Sequence, residues 1–172
     1  MAEGIKITGA PSREELENCP GMPSKGRMDR GPVACIECME RIPCNPCETA
    51  CPFGAIMIGD PITNVPILNE ETCTGCGECV AKCPGFAITL VDKTSGGGTA
   101  EIAFPYEYLP LPQAGGTVTA VNRLGEGVCA ALVLSVTRDE RDARTWVVRI
   151  AVPLEAADEV RSIRRLSLEE GK

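Results

Sequence analysis

Cysteine is concentrated in one segment of this 172-residue chain, and this constrains the fold more than any other feature. Nine of the eleven cysteines lie between positions 35 and 83. Within that segment the phrase Cys-x-x-Cys-x-x-x-Cys-Pro occurs twice, at 44–52 and at 76–84. Aromatic residues are only 3% of the chain, so large side chains cannot dominate a core there. The repeat therefore indicates two related loops that fold around bound metal.

The second copy has the complete spacing with which bacterial proteins ligate iron-sulfur clusters. Its cysteines are Cys73, Cys76, Cys79 and Cys83, followed by Pro84. The first copy supplies Cys44, Cys47 and Cys51, followed by Pro52. Gly75 and Gly77 lie between ligands, where we expect a cluster to leave no room for a Cβ atom. This duplicated pattern predicts two 4Fe-4S clusters and therefore electron transfer.

The first copy lacks its leading cysteine, because Arg41 stands at that position. Cys38 and Cys35 both lie upstream of it. The loop from Cys38 is the shorter excursion and the easier to close, which favours Cys38 over Cys35. In two-cluster arrangements the fourth cysteine of each motif ligates the other cluster. We therefore expect one cluster on Cys38, Cys44, Cys47 and Cys83, and the other on Cys73, Cys76, Cys79 and Cys51.

Other uses of the cysteines have weaker support. A four-thiolate zinc site could form from Cys35, Cys38, Cys44 and Cys47. The close match between the two Cys-Pro endings favours iron-sulfur ligation instead. Disulfides are not expected, because the first residues show no export signal. Cys19 and Cys129 lie outside the motifs, and we expect them to be inert thiols, with Cys129 in an apolar strand.

The composition excludes several classes of function. The formal charge of -7 disfavours nucleic-acid binding, which depends on lysine and arginine at phosphates. The chain contains no histidine, which excludes histidine-based triads, histidine-ligated haem and most catalytic zinc sites. The longest apolar stretch, 128–136, is shorter than the roughly 20 residues of a membrane-spanning helix. We expect a cytoplasmic protein without direct membrane insertion and with no catalytic site of its own.

Three regions follow from the pattern of residues. Residues 1–32 predict an irregular arm, with a strand candidate at 5–8 and a capped helical turn at 12–18. Residues 33–94 predict an α+β cysteine module with pseudo-twofold symmetry, because the tails after the two Cys-Pro endings are similar. A glycine run at 96–98 has the composition of a linker.

The last region, 95–172, is rich in strand-forming residues. Its strand candidates are 101–106, 117–123, 128–138 and 145–152. Four short strands separated by turn signals predict a small antiparallel β barrel or sandwich. The charged run at 138–144 is expected to be an exposed hairpin tip. A short C-terminal helix is expected from Glu155 to about Arg161, with apolar residues every three positions.

Residues 35–90, about a third of the chain, resemble the bacterial two-cluster ferredoxin family. The resemblance rests on CTGCGECVAKCP, the second copy of the motif, and the first copy repeats its Cys-Pro ending at Cys51. It implies a ferredoxin-like module with two 4Fe-4S clusters. The first motif departs from the family by three inserted residues between Cys38 and Cys44, and by the additional Cys35.

A second resemblance concerns the partner. The segment IECMERIPCNPCETACPFGAI is similar to small ferredoxin-type subunits of FAD-dependent amine, opine or amino-acid dehydrogenases of the hydrogen-cyanide-synthase-like class. It implies an electron-transfer subunit in a hetero-oligomeric complex with FAD-containing dehydrogenase subunits. The arm and the β region, which a free ferredoxin does not need, favour such fixed docking. A free-standing soluble ferredoxin with a β extension is the alternative, and a thiolate-zinc scaffold protein is a further one.

Overall fold

The computed structural model of the chain describes residues 4–138 and 145–167. Within these ranges the helices are short and strands predominate. The strands are β1 (Val33–Ile36), β2 (Ile56–Met57), β3 (Ile67–Leu68), β4 (Ile88–Asp92), β5 (Thr99–Tyr106), β6 (Thr117–Val121), β7 (Gly127–Thr137), β8 (Trp146–Pro153) and β9 (Ser162–Ile163). The α-helices are α1 (Ile5–Thr8), α2 (Arg13–Glu17), α3 (Lys25–Met28), α4 (Pro46–Ala50) and α5 (Glu78–Lys82). None of these described helices is long and apolar enough to cross a membrane.

One antiparallel sheet dominates the architecture. Its seven strands lie in the order β1-β4-β5-β8-β7-β6-β9, while β2 and β3 form a separate pair. Alternate residues of β8 point into the core, and Val148, Ile150 and Val152 are almost completely buried. Such alternation is typical of a half-buried strand. The four strand candidates of the last region are confirmed, because they form β5 to β8.

The cysteine module and the β region share this sheet. Strand β4 of the module pairs with β5, through Leu90 opposite Ala103 and Asp92 opposite Glu101. The glycine run at 96–98, interpreted from composition as a linker, is instead part of the turn between these strands, and all three glycines have positive φ. The Thr99 N–H closes this turn by donating to the Gly96 carbonyl at 3.1 Å. The module is therefore continuous with the strands that follow it.

The N-terminal arm is helical and lies on the module. The strand expected at 5–8 is wrong, because this segment forms α1, which ends at Gly9 with a φ of 77°. The predicted capping box is confirmed at α2, where Ser12 and Glu15 exchange hydrogen bonds. Further along, the Ile36 N–H donates to the carbonyl of Gly21 at 3.0 Å, so the arm contacts β1.

The C-terminal helix expected from Glu155 to Arg161 is wrong. The chain forms a single 3-10 turn at Leu154–Ala156, and the Val160 N–H then closes one further turn on the Ala156 carbonyl. The three-residue spacing of the apolar side chains suits a 3-10 turn, in which residues three apart lie above one another. Of the expected hairpin tip at 138–144, residues 139–144 lie outside the described residues, and the Arg138 guanidinium lies 4.7 Å from the centroid of the Trp146 ring.

A nearly buried ion network connects the first and last strands of the sheet. Glu37 directly follows β1, and its side chain is only 12% exposed. Two Arg123 nitrogens donate to its carboxylate oxygens at 2.8 Å each. The Arg161 Nε, next to β9, donates to one of these oxygens at 2.5 Å. Burial alone would raise the pKa of Glu37, but the two guanidinium groups together outweigh it and hold the pKa below its usual value.

This network predicts the effect of Glu37→Gln. The variant leaves two nearly buried guanidinium groups without their carboxylate, so the free energy of unfolding should fall by about 3 kcal/mol. The matched control is Glu101→Gln, which breaks the pair of Glu101 with Arg149 on a more exposed part of the sheet. There we expect a loss below about 1 kcal/mol. Denaturant unfolding of the anaerobic protein measures both, and equal losses would contradict the expectation.

Candidate metal centre

The two Cys-Pro endings have the same backbone geometry. Cys47 lies in α4 and Cys51 directly follows this helix, while Cys79 lies in α5 and Cys83 directly follows it. Cys51 and Cys83 have an extended backbone, so their side chains are not confined to the helix face that carries Cys47 or Cys79. The terminal cysteines have nearly equal conformations, with φ of -79° and -75°. The proline that follows each of them cannot continue the helix, because it has no N–H.

The turn after each helix directs a backbone N–H at sulfur. The Ala55 N–H donates to Cys51 Sγ at 3.2 Å, and the Ala87 N–H donates to Cys83 Sγ at 3.4 Å. Both turns need a left-handed residue just before the alanine. The first uses Gly54, with a φ of 62°, whereas the second uses Phe86, with a φ of 54°. A side chain in this conformation costs about 1–2 kcal/mol, so the surrounding structure must impose the turn.

The expected ligands lie around two separate cavities. The first cavity is lined by Cys38, Cys44, Cys47 and Cys83. The second cavity is lined by Cys51, Cys73, Cys76 and Cys79. Each cavity collects three cysteines from one motif and the fourth from the other. This is the grouping that the crossed ligation scheme expects.

Strands β1 and β4 form a common floor beneath both cavities. Ala34 and Leu90 face each other across the two strands and line the second cavity. Two residues along, Ile36 and Ile88 form the next such pair and line the first cavity. Since side chains two apart on a strand share a face, a single apolar surface supports both groups of cysteines.

The same alternation separates Cys35 from the cavities. Cys35 lies between Ala34 and Ile36 on β1, so its side chain points to the opposite face of the sheet. It is completely buried there, and burial raises the pKa of its thiol to about 12. Cys38 lies beyond the end of the strand and lines the first cavity. The geometry thus favours Cys38 as the leading ligand.

The chemistry of the donors fits iron-sulfur clusters. Burial, followed by the neighbouring cysteines, raises the pKa of Cys47 to about 11 and that of Cys79 to about 12. Thiolates crowded in apolar cavities need bound cations to offset their charge. Each cavity is lined by four cysteines, and four thiolates are the ligands of a 4Fe-4S cluster.

The two glycines between ligands have different surroundings. Gly75 and Gly77 both have positive φ, 72° and 83°. A Cβ atom at Gly75 would lie 2.3 Å from the Pro32 carbonyl oxygen, whereas one at Gly77 would meet only Leu90 Cδ2, at 3.7 Å. The Pro32 backbone therefore requires glycine at position 75. The sequence analysis attributed the lack of space at this position to the cluster and did not predict this contact.

Two residues of the arm lie near the cavities, and the role of the first was not predicted from the sequence. Arg27 of the arm donates a hydrogen bond to the Cys73 carbonyl at 2.7 Å, and no sequence pattern relates positions so far apart. Cys19, expected to be inert, is buried and donates its thiol to the Ile36 carbonyl at 3.3 Å. It lies near enough to Cys38 to contribute to the raised pKa of that thiol, after burial and other cysteines.

Comparison with known proteins identifies the type of the cysteine module. Residues 34–87 match the family model of the 4Fe-4S dicluster domain. This match confirms the ferredoxin-type resemblance for that segment, which is about a third of the chain. No solved structure matches the chain significantly.

Three curated relatives illustrate the similarity. Protein Pixie of Drosophila melanogaster is 33% identical over 96 residues, covering 50% of this chain and 16% of that protein. One component of the Na(+)-translocating ferredoxin:NAD(+) oxidoreductase complex of Acetobacterium woodii is 47% identical over 47 residues, covering 27% and 14%. The polyferredoxin-like subunit of the aliphatic sulfonate oxidoreductase of Pyrococcus furiosus is 43% identical over 54 residues, covering 31% and 28%. The chain spans less than a third of the length of each.

The leading ligand can be identified by alanine substitution. Cys38→Ala should remove the first cluster and about half of the iron, because a 4Fe-4S cluster needs its four thiolates. Cys35→Ala should keep the full iron content, since that side chain lies on the other face of β1. Iron and sulfide per chain, measured after anaerobic purification, separate the two variants. Full loading of Cys38→Ala would refute the assignment.

The contact between Gly75 and Pro32 predicts a difference between two similar substitutions. Gly75→Ala and Gly77→Ala both place a side chain at positive φ, which costs about 1–2 kcal/mol in each case. Only Gly75→Ala adds a clash with backbone, so it should lose the second cluster while Gly77→Ala retains both. The iron content of the two purified variants tests this, and equal iron content would show that the clash is relieved.

Proposed function

We propose that this chain is an iron-sulfur electron-transfer subunit of an oxidoreductase complex. Two 4Fe-4S clusters would be bound, each of which gains or loses one electron at a time. The first would be held by Cys38, Cys44, Cys47 and Cys83, and the second by Cys73, Cys76, Cys79 and Cys51. The observation that carries the proposal is the pair of cavities, each with four cysteines contributed by both motifs.

The arrangement of the cavities supports electron passage between them. The floor residues of the two cavities, Ile36 and Ala34 on β1, are two positions apart, and so are Ile88 and Leu90 on β4. A strand rises about 3.3 Å per residue, so these positions are roughly 7 Å apart along each strand. The two cavities are therefore neighbours on one surface, which supports direct electron exchange between the groups proposed to occupy them.

We propose further that the electron donor is a flavoprotein dehydrogenase with FAD-containing subunits, acting on an amine or amino acid. A flavin exchanges two electrons, whereas each cluster carries one, so a pair of clusters suits the transfer. The substrate class rests on the resemblance of the segment that includes Cys38 to Cys51. The relatives named as parts of oxidoreductase complexes support a role within an assembly.

Anaerobic purification from the native host tests this function. We expect a brown protein with about eight iron and about eight sulfide per chain, bleached by dithionite, because two cubes of four irons are proposed. Flavin-containing chains should co-purify with it. Cys129→Ala, which changes a cysteine outside both cavities, is the matched control and should keep the full content.

Each part of the proposal has its own contradictory result. A colourless protein with zinc in place of iron would refute electron transfer and favour a thiolate-zinc scaffold. A brown monomer that exchanges electrons with unrelated reductases and binds no flavoprotein would refute the subunit role and favour a free-standing ferredoxin.

A further inference from the structure

Arg27 is a buried cation of the N-terminal arm beside the second cavity. It lies on α3 and is only 8% exposed. Its side chain donates four hydrogen bonds, each to a backbone carbonyl oxygen. The acceptors are Glu70 at 2.9 Å, Gly31 at 3.1 Å, Pro32 at 3.0 Å and Cys73 at 2.7 Å. A guanidinium can do this because its donors form a rigid planar fork.

Two of these bonds hold the ligand loop against the arm. The same Arg27 nitrogen, Nη2, binds the carbonyls of Pro32 and Cys73. The Pro32 carbonyl is also the group against which Gly75 packs without space for a Cβ atom. The loop that contains Cys73 and Cys76 therefore has two contacts with the arm. Gly75 packs against the Pro32 carbonyl, and the Cys73 carbonyl accepts a hydrogen bond from Arg27.

The neighbouring contacts of the arm involve side chains that precede the loop and not the backbone of a cysteine. Ser24 donates its N–H and its hydroxyl to the Glu70 carboxylate, at 2.6 and 2.9 Å. Arg30 pairs with Glu71, and both of these side chains are more than half exposed. These contacts attach the arm to the segment before Cys73, but only Arg27 among them binds the carbonyl of a proposed ligand.

We propose that Arg27 is the positioning residue of the second cluster. By binding the carbonyls of Pro32 and Cys73, it pre-forms the loop that presents Cys73 and Cys76 to iron. It acts through the backbone of Cys73 and does not itself bind the cluster. This inference rests on the proposed function, since it requires that the second cavity holds a cluster.

The test compares Arg27→Lys and Arg27→Met with Arg30→Gln. Arg27→Lys keeps the charge but cannot reach four carbonyls, and Arg27→Met removes both the charge and the donors. Arg30→Gln removes a nearby charge of the same arm without touching the loop. Each variant and the unchanged protein are treated anaerobically with an iron chelator, while the visible absorbance of the clusters is recorded.

In both Arg27 variants, about half of the cluster absorbance should be lost roughly 10- to 100-fold faster than in the unchanged protein. This half belongs to the second cluster, because removing a residue that orients a metal ligand typically lowers metal affinity by about that factor. The other half should be lost at the unchanged rate, and Arg30→Gln should resemble the unchanged protein. In a redox titration, one midpoint potential should shift in the Arg27 variants while the other stays. If Arg27→Met fails to fold, Arg27→Lys alone decides.

Equal acceleration of both halves would show a general loss of stability and overturn the positioning role. Unchanged release in Arg27→Lys would overturn it as well. In both cases the unchanged protein still binds two clusters, so the proposed function stands. Absence of any iron-sulfur absorbance in the unchanged protein would instead refute the proposed function, and this inference with it.

Discussion

The antiparallel pairing of β1 with β4 determines where both cavities lie. Its register places Ala34 opposite Leu90 and Ile36 opposite Ile88. A slip of one residue would turn these side chains to the other face and bring Cys35 and its partner beneath the cysteine loops. Every residue of β1 is buried, so both faces of this strand are covered. The pair therefore connects metal ligation to the folding of the whole chain.

The N-terminal arm and the β region each hold one of the two cysteine loops in place. On the side of the second cavity, Arg27 of the arm binds the carbonyl of Cys73. On the side of the first, Arg123 and Arg161 of the β region hold Glu37, the residue before Cys38. The first loop is the longer one, with three residues more than the ferredoxin spacing, and a fixed Glu37 anchors its beginning. The additions thus have a structural role at the site itself.

The sequence was informative where spacing controls geometry and less so where distant groups meet. Cysteine spacing predicted the two groups of cysteines that line the cavities, and strand-forming composition between turn signals predicted β5 to β8. The segment 5–8 has strand-like residues, but it is too short for propensity to decide, and Gly9 allows a helical turn to end there. The contact of Arg27 with Cys73 joins positions 46 residues apart, which no local pattern encodes.

Electrostatic interactions couple cluster binding to the folding of the N-terminal arm. Without iron, burial and crowding hold the pKa of Cys47 and Cys79 near 11 and 12, so these thiols stay neutral at pH 7. If clusters bind as proposed, their cysteine ligands would be thiolates and each cavity would be anionic. The buried guanidinium of Arg27 lies beside the second cavity, where it donates to the Cys73 carbonyl. The free-energy penalty of burying a cation is smaller beside an anionic cavity than beside neutral thiols. Binding of a cluster in the second cavity should therefore stabilise the N-terminal arm that carries Arg27.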